Sequence, residues 1–347
     1  MRRYDAARVK RLHFFEIFAV ANLAIVAVLF HATANLAGTT LRHLGTFAFG
    51  IAVQALAGII LRSIIAAVRR DKSYFHVLRD KAWLLETLRL VVFGAMIVVA
   101  YGWIKLTVPL YHPRLFDEAL WELDRMLFFG LAPSTFMLDL FNAGSFLRVI
   151  DWSYANIFFA SATVAYAYFL SAPDRKLRVA FANGNALVWM LGAWLYLLIP
   201  SLGPAFRFPD VWFAHAESLK VTQMMQALLM RNYQNVLRAA NGVPITEPIR
   251  IVFGIAAFPS LHVAFQTYVF LWMRRVWRAG EVLFGIFVVT IFIGSMITGW
   301  HYMVDGLAGL LMAYLCYRIC FPRHAPDSAT DDPGRAAVEA DGRGGAV

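Results

Sequence analysis

Charge is scarce in this chain. Asp, Glu, Lys and Arg make up 16% of its 347 residues, where soluble globular chains carry about a quarter. Apolar residues reach 60% and the mean hydropathy is +0.60. A water-soluble domain is thereby excluded, because the surplus apolar surface needs lipid. Cysteine is nearly absent. Cys316 and Cys320 stand four residues apart in the last apolar stretch, with no further Cys or clustered His to complete a metal site. They read as small apolar fillers. Acid is outnumbered, 22 residues against 32 basic ones, for a net charge of +10. In a soluble protein that excess suggests nucleic acid. Here the basic residues sit in short segments between apolar stretches and form no reading face, so nucleic acid is set aside and anionic lipid is the better partner. A cleavable signal is also missing: the apolar stretch after the basic N-terminus is too long and lacks a small-residue cleavage site, so it reads as a first transmembrane helix.

What is present is a series of apolar stretches of spanning length, about 20 residues each. Eight are found: 14–36, 44–67, 84–108, 147–170, 178–199, 257–274, 281–299 and 302–321. The expected fold is an all-α polytopic membrane bundle of about eight transmembrane helices. If the spans alternate, the basic clusters before the first, between the second and third, fourth and fifth, and sixth and seventh, and after the eighth all fall on one side. Lys and Arg mark the cytoplasmic side, which puts both termini there. The opposite side carries two long segments. Residues 111–146 hold apolar residues at helical spacing and read as an interfacial helix. Residues 201–256 contain Pro204, Pro209, Pro244 and Pro248 with a helix expected over 217–240; a loop of this length suits a lid or binding element. After Phe321 the chain is rich in Pro, Gly, Asp and Ala and reads as a disordered tail. The division expected is 1–110 for N-terminal membrane helices, 111–321 for a catalytic membrane core and 322–347 for the tail.

The topology collects ionisable residues on the non-cytoplasmic side, where charge near lipid points to function. Phe258-Pro259-Ser260-Leu261-His262 opens the sixth stretch, and Trp300-His301-Tyr302-Met303-Val304-Asp305 joins the seventh to the eighth. A lone membrane His is more often structural, but two His and an Asp at one depth are harder to dismiss. His301 and Asp305, four apart, share a helix face. An Asp holding one imidazole nitrogen leaves the other as a nucleophile and stabilises the cation formed on attack. His262 can protonate the leaving oxygen, and Ser260 beside it can donate to a phosphoryl oxygen. Asp124 and Arg125 are either a substrate contact or a solvated edge. Lys105 is expected to snorkel outward, and Glu16 to find a partner inside the bundle.

The order Pro259-Ser260-x-His262, then Gly299-x-His301-x-x-x-Asp305, resembles the type 2 phosphatidic acid phosphatase superfamily. The stretches LDRMLFFGLAPS (123–134) and IPSLGP (199–204) resemble its inositolphosphorylceramide synthase branch, the inositolphosphotransferase-like group. The resemblance covers roughly residues 115–321. It implies a six-helix phosphatase-like core and a covalent phosphohistidine mechanism, with His301 as nucleophile, Asp305 as its partner and His262 as general acid. It also implies that Ser260 helps hold the phosphate and that no metal or other cofactor is needed. Substrates would be lipid phosphate esters.

Two departures bear on the reaction. The superfamily's phosphatases carry a Lys-x6-Arg-Pro motif, absent here before Pro204, and an Arg six residues before the last His, where this chain has Ser295. A monoester or pyrophosphate carries about two or three negative charges and wants matching cations; a diester carries one. A cation-poor site favours transfer of a diester headgroup over monoester hydrolysis. Arg207, after Gly203 and Pro204, and Arg250 are the candidates to refill the site, with lipid-headgroup anchoring the alternative for Arg207. The reading is a phosphotransferase moving a phosphatidylinositol-like headgroup to a lipid alcohol. The alternatives are a lipid phosphate or polyprenyl pyrophosphate phosphatase and a non-catalytic transporter. A bacterial inner membrane, with the site extracytoplasmic, is the expected location. Oligomeric state is not legible.

Overall fold

The computed structural model describes residues 12–29, 37–111, 114–142, 145–245 and 247–321; the tail at 322–347 lies outside them. Among the described residues every regular element is a helix. In chain order they are α1 (Phe14–Leu29), α2 (Ala37–Val68), α3 (Ser73–Leu78), α4 (Lys81–Tyr111), α5 (Asp117–Leu127), α6 (Pro133–Leu140) and α7 (Phe146–Leu170). There follow α8 (Arg175–Leu198), α9 (Pro204–Arg207), α10 (Pro209–Phe213), α11 (Lys220–Ala240), α12 (Leu261–Val276), α13 (Arg278–Ile297) and α14 (Met303–Cys320). Residues Thr40–Val68 of α2 and all of α4, α8, α13 and α14 are long and apolar enough to cross a membrane. The protein is an integral membrane protein.

The eight expected spans each meet a helix, but three are too short or too polar to stand with the other five. α1 and α12 have 16 residues each, and α7, 25 residues long, is diluted by Ser153, Tyr154, Asn156, Ser161, Thr163, Tyr166 and Tyr168. For α12 the reason is local. Ser260 caps the helix, its hydroxyl accepting from the Val263 amide at 3.3 Å. Residues 257–260 therefore stay outside the helix, and the stretch expected to start at 257 starts at Leu261.

α12 is the axis of the bundle, packed by α7, α8, α13 and α14. Its Phe265, Tyr268 and Trp272 are fully buried. Phe169 and Phe181 stack at 4.1 Å between ring centres and meet the Trp272 edge at 5.6 and 6.0 Å, an aromatic cluster of the offset and edge-on kind that aromatic quadrupoles favour. α4 packs on α8, with α1 and α2 against it. The segment expected as one interfacial helix over 111–146 divides into α5 and α6. α5 buries Asp117, Leu120 and Asp124, spaced three and four apart on one face, and leaves Met126 78% exposed. The helix expected over 217–240 is α11.

Candidate active site

The site lies where the first turns of α12 and α14 meet. The Ser260 amide donates to the Asp305 carbonyl at 2.9 Å, joining the two helix starts. Gly309 lets them close: a Cβ there would lie 2.5 Å from the Ser260 carbonyl oxygen. At the end of α13 the Trp300 and His301 amides both donate to the Ser295 carbonyl, at 3.0 and 3.1 Å, so the chain turns sharply into the site. Ser295, which occupies the position of an expected arginine, is 1% exposed and serves this turn.

His262, His301 and Asp305 come together. His301 Nδ1 lies 2.9 Å from the Ala257 carbonyl oxygen and 3.4 Å from Asp305 Oδ2. A carbonyl only accepts, so Nδ1 carries the proton and Nε2 keeps its lone pair. That Nε2 faces His262 Nδ1 at 3.4 Å. Since Nε2 accepts, His262 Nδ1 is the donor. The tautomers thus pair a lone-pair nitrogen of His301 with an N–H of His262. Burial pushes the His301 pKa below the usual imidazole range, with Lys105 adding to the effect. Asp305 Oδ2 also accepts from the Tyr302 amide at 2.9 Å, while Oδ1 is buried with no partner among the described residues.

Three aspartates away from the chemistry hold the site's walls. Asp117 accepts from the Leu202 and Gly203 amides at 3.0 and 2.9 Å and from the Tyr302 hydroxyl at 2.9 Å. Gly203 sits at φ +98, and a Cβ there would lie 2.4 Å from the Trp300 carbonyl oxygen; only glycine allows that approach. Pro204 starts α9 behind it, where a missing N–H costs nothing. Gly203 and Pro204 thus wall the site. Asp124 accepts from the Met303 and Val304 amides at 2.7 and 2.9 Å, at the N-terminus of α14. The expected substrate contact or solvated edge is therefore corrected: Asp124 is 1% exposed, both its oxygens are occupied, and it positions α14. Burial raises its pKa to about 6, against the pull of the two amides. Asp151 does the same for α11, accepting from Val221 and Thr222 at 2.7 and 2.9 Å.

The expected cations are engaged at the surface. Arg207 is exposed and paired with Glu118, and Arg250 is exposed with its guanidinium 5.4 Å from the Phe253 ring. Lys105 is half-buried. It does not snorkel outward; its ammonium sits 5.9 and 5.7 Å from the Tyr101 and Tyr196 ring centres. The signal was in the spacing, since Ile97, Tyr101, Lys105 and Val108 recur on one helical face. Ser260 is fully buried; accepting at the cap leaves its O–H as a donor.

The bundle and its paired histidines define a class, a helical membrane protein with a His–His–Asp cluster at one end. The model of the PAP2 superfamily matches residues 118–319, more than half of the chain. The chain belongs to the PAP2 superfamily, whose members are phosphatases and phosphotransferases acting on phosphate esters, and it is an enzyme of that kind with lipid phosphate substrates. No curated protein and no solved structure matches it.

Proposed function

We propose that this enzyme transfers a phosphoryl-headgroup from a phosphatidylinositol-like donor to a lipid alcohol through a phosphohistidine at His301, as in the inositolphosphotransferase-like branch. The observation that carries the reading is the contact of His301 Nε2 with His262 Nδ1 at 3.4 Å, with His301 Nδ1 held by the Ala257 carbonyl. In the first step Nε2 attacks the donor phosphorus. The phosphorus–oxygen bond to diacylglycerol breaks, and His262, entering the step as the imidazolium, protonates the departing oxygen and is left as the neutral imidazole. Asp305 stabilises the cationic phosphohistidine. In the second step His262 takes the proton of the acceptor hydroxyl, whose oxygen attacks phosphorus while the nitrogen–phosphorus bond breaks. His301 is then free again. A phosphoryl group entering the site displaces the contact between the imidazoles.

Charge supports a diester over a monoester. Of the basic residues after the Gly-Pro turn, Arg207 is already paired with Glu118, and a site short of free cations suits the single charge of a diester. Ser260 supplies a neutral donor. The basic segments between spans support a bacterial inner membrane orientation with both termini cytoplasmic and the histidines extracytoplasmic. Residues 111–321 act as the catalytic core.

The test uses purified protein in mixed micelles with radiolabelled phosphatidylinositol and, separately, labelled phosphatidate, with a lipid-alcohol extract and a chelator. Label is expected to pass from phosphatidylinositol into a new lipid, with chelator present, and not in His301→Ala. Full activity in His301→Ala overturns the phosphohistidine. Free phosphate from phosphatidate without a new lipid makes water the acceptor and the enzyme a phosphatase.

A further inference from the structure

The PAP2 match begins at residue 118, yet one wall of the site comes from before it. Helix α4 runs alongside the segment leading to His262. Gly102 faces the Ile251 carbonyl and Gly254 faces the Lys105 carbonyl so closely that added Cβ atoms would lie 3.0 and 2.5 Å away. This backbone-to-backbone packing fixes Lys105 against the segment that ends at Ala257, the partner of His301. Lys105 leans over Tyr101, one turn earlier, and Tyr196 of α8. The Tyr101 and Tyr196 ring centres are 6.5 Å apart. Across the cluster the Tyr154 ring lies 5.4 Å from His262. Tyr154 is 5% exposed, and its hydroxyl has no partner among the described residues. A buried hydroxyl without a partner costs free energy unless something fills its place during use. No described carboxylate pairs with Lys105, whereas Arg207 is engaged by Glu118.

We propose that Lys105 is the phosphate clamp of this enzyme, its ammonium bonding a non-bridging oxygen of the lipid phosphodiester while the Tyr154 hydroxyl donates to the same group. The proposal rests on the phosphotransferase reading and names its binding residues. An ammonium is a compact point charge with three donors, suited to one oxygen of a monoanion and not to the forked capture that an arginine gives. The two tyrosine rings hold the ammonium in place through their negative faces. The residues matched by the family thus supply the chemistry, and a helix before them supplies the charge that holds the substrate.

The experiment uses the full chain in micelles and orthovanadate as the phosphoryl probe, binding being read as a shift in melting temperature, alongside KM for phosphatidylinositol. In Lys105→Met both orthovanadate affinity and apparent substrate affinity are expected to fall about 10- to 100-fold, the range for a lost charge-assisted bond. Lys105→Arg restores part of the loss, which a packing defect would not allow. Should Lys105→Met fail to fold, the wild-type chain still decides. Reductive methylation of Lys105, followed by peptide mass spectrometry, is expected to slow at saturating orthovanadate. Equal methylation rates, absence of orthovanadate binding by the wild-type chain, or unchanged affinity in Lys105→Met overturn the clamp. Because His301→Ala is read by label transfer and Lys105→Met by binding, the clamp and the reaction fail separately.

Discussion

The two ends of the bundle bury carboxylates in opposite ways. At the end carrying the histidines, Asp117, Asp124 and Asp151 are each satisfied by pairs of backbone amides. At the other end Glu16 is paired with Arg89, and Glu86 with Arg175 at 2.6 Å, tying α1, α4 and α8 together. Both solutions meet the cost of burying charge. They differ in what they leave over. Ion pairs consume cations and fix helices against one another. Amide pairs fix loops and helix starts while consuming no cation, which leaves Lys105 for substrate. The difference teaches that a site can be rigid and still positively poised, provided its walls are held by backbone.

The comparison breaks first at the chemistry. His262→Asn keeps a polar side chain of similar size but removes the proton donor, so turnover is expected to fall about 10²- to 10⁴-fold with melting temperature little changed. A variant that unfolds instead of slowing would make His262 a structural residue like those at the far end. Next comes Glu86→Gln, which leaves Arg175 without its carboxylate. A stability loss of about 2 kcal/mol is expected, with KM and turnover per folded molecule unchanged; denaturant unfolding in micelles alongside label transfer measures both. Loss of turnover without loss of stability would show the two ends to be coupled.

The smallest effect concerns Asp124, whose pKa burial raises to about 6. A carboxyl whose folded value exceeds its unfolded one stabilises the fold most when protonated. Its contribution is complete below about pH 4 and lost as pH rises through about 6. Relative to Asp124→Asn, the wild-type protein should lose stability across that window, by at most about 1.4 kcal/mol per pH unit. Melting curves at pH 4, 5 and 6 for both proteins read the difference. Parallel curves would mean that the Met303 and Val304 amides outweigh desolvation, and that amide-held carboxylates carry no hidden titration.

How much of this was legible beforehand differs by kind of residue. The helices and the His262, His301 and Asp305 motifs stand in contiguous sequence, because helical period and four-residue spacing are local properties. The place of Asp124 was not legible, since its partners at Met303 and Val304 lie 179 and 180 residues away. The partner of Arg207 was not legible for the same reason: a basic residue after a Gly-Pro turn faces whatever the fold puts opposite, and here that is Glu118. Lys105 carried a helical signal pointing inward, outweighed by the usual habit of a lysine near a span end.

By itself the sequence determined that this chain lives in lipid, that its elements are helices, and that two histidines and an aspartate stand in two short motifs at one end of the bundle. Composition and short-range periodicity suffice for that, because the bilayer admits few structures and demands that every backbone amide be paired. The tertiary structure alone selected which carboxylates hold walls, which nitrogen of His301 stays free, and which basic residues find a carboxylate partner. Those are outcomes of contacts between helices far apart in the chain, where direction and depth, not residue type, select the partner.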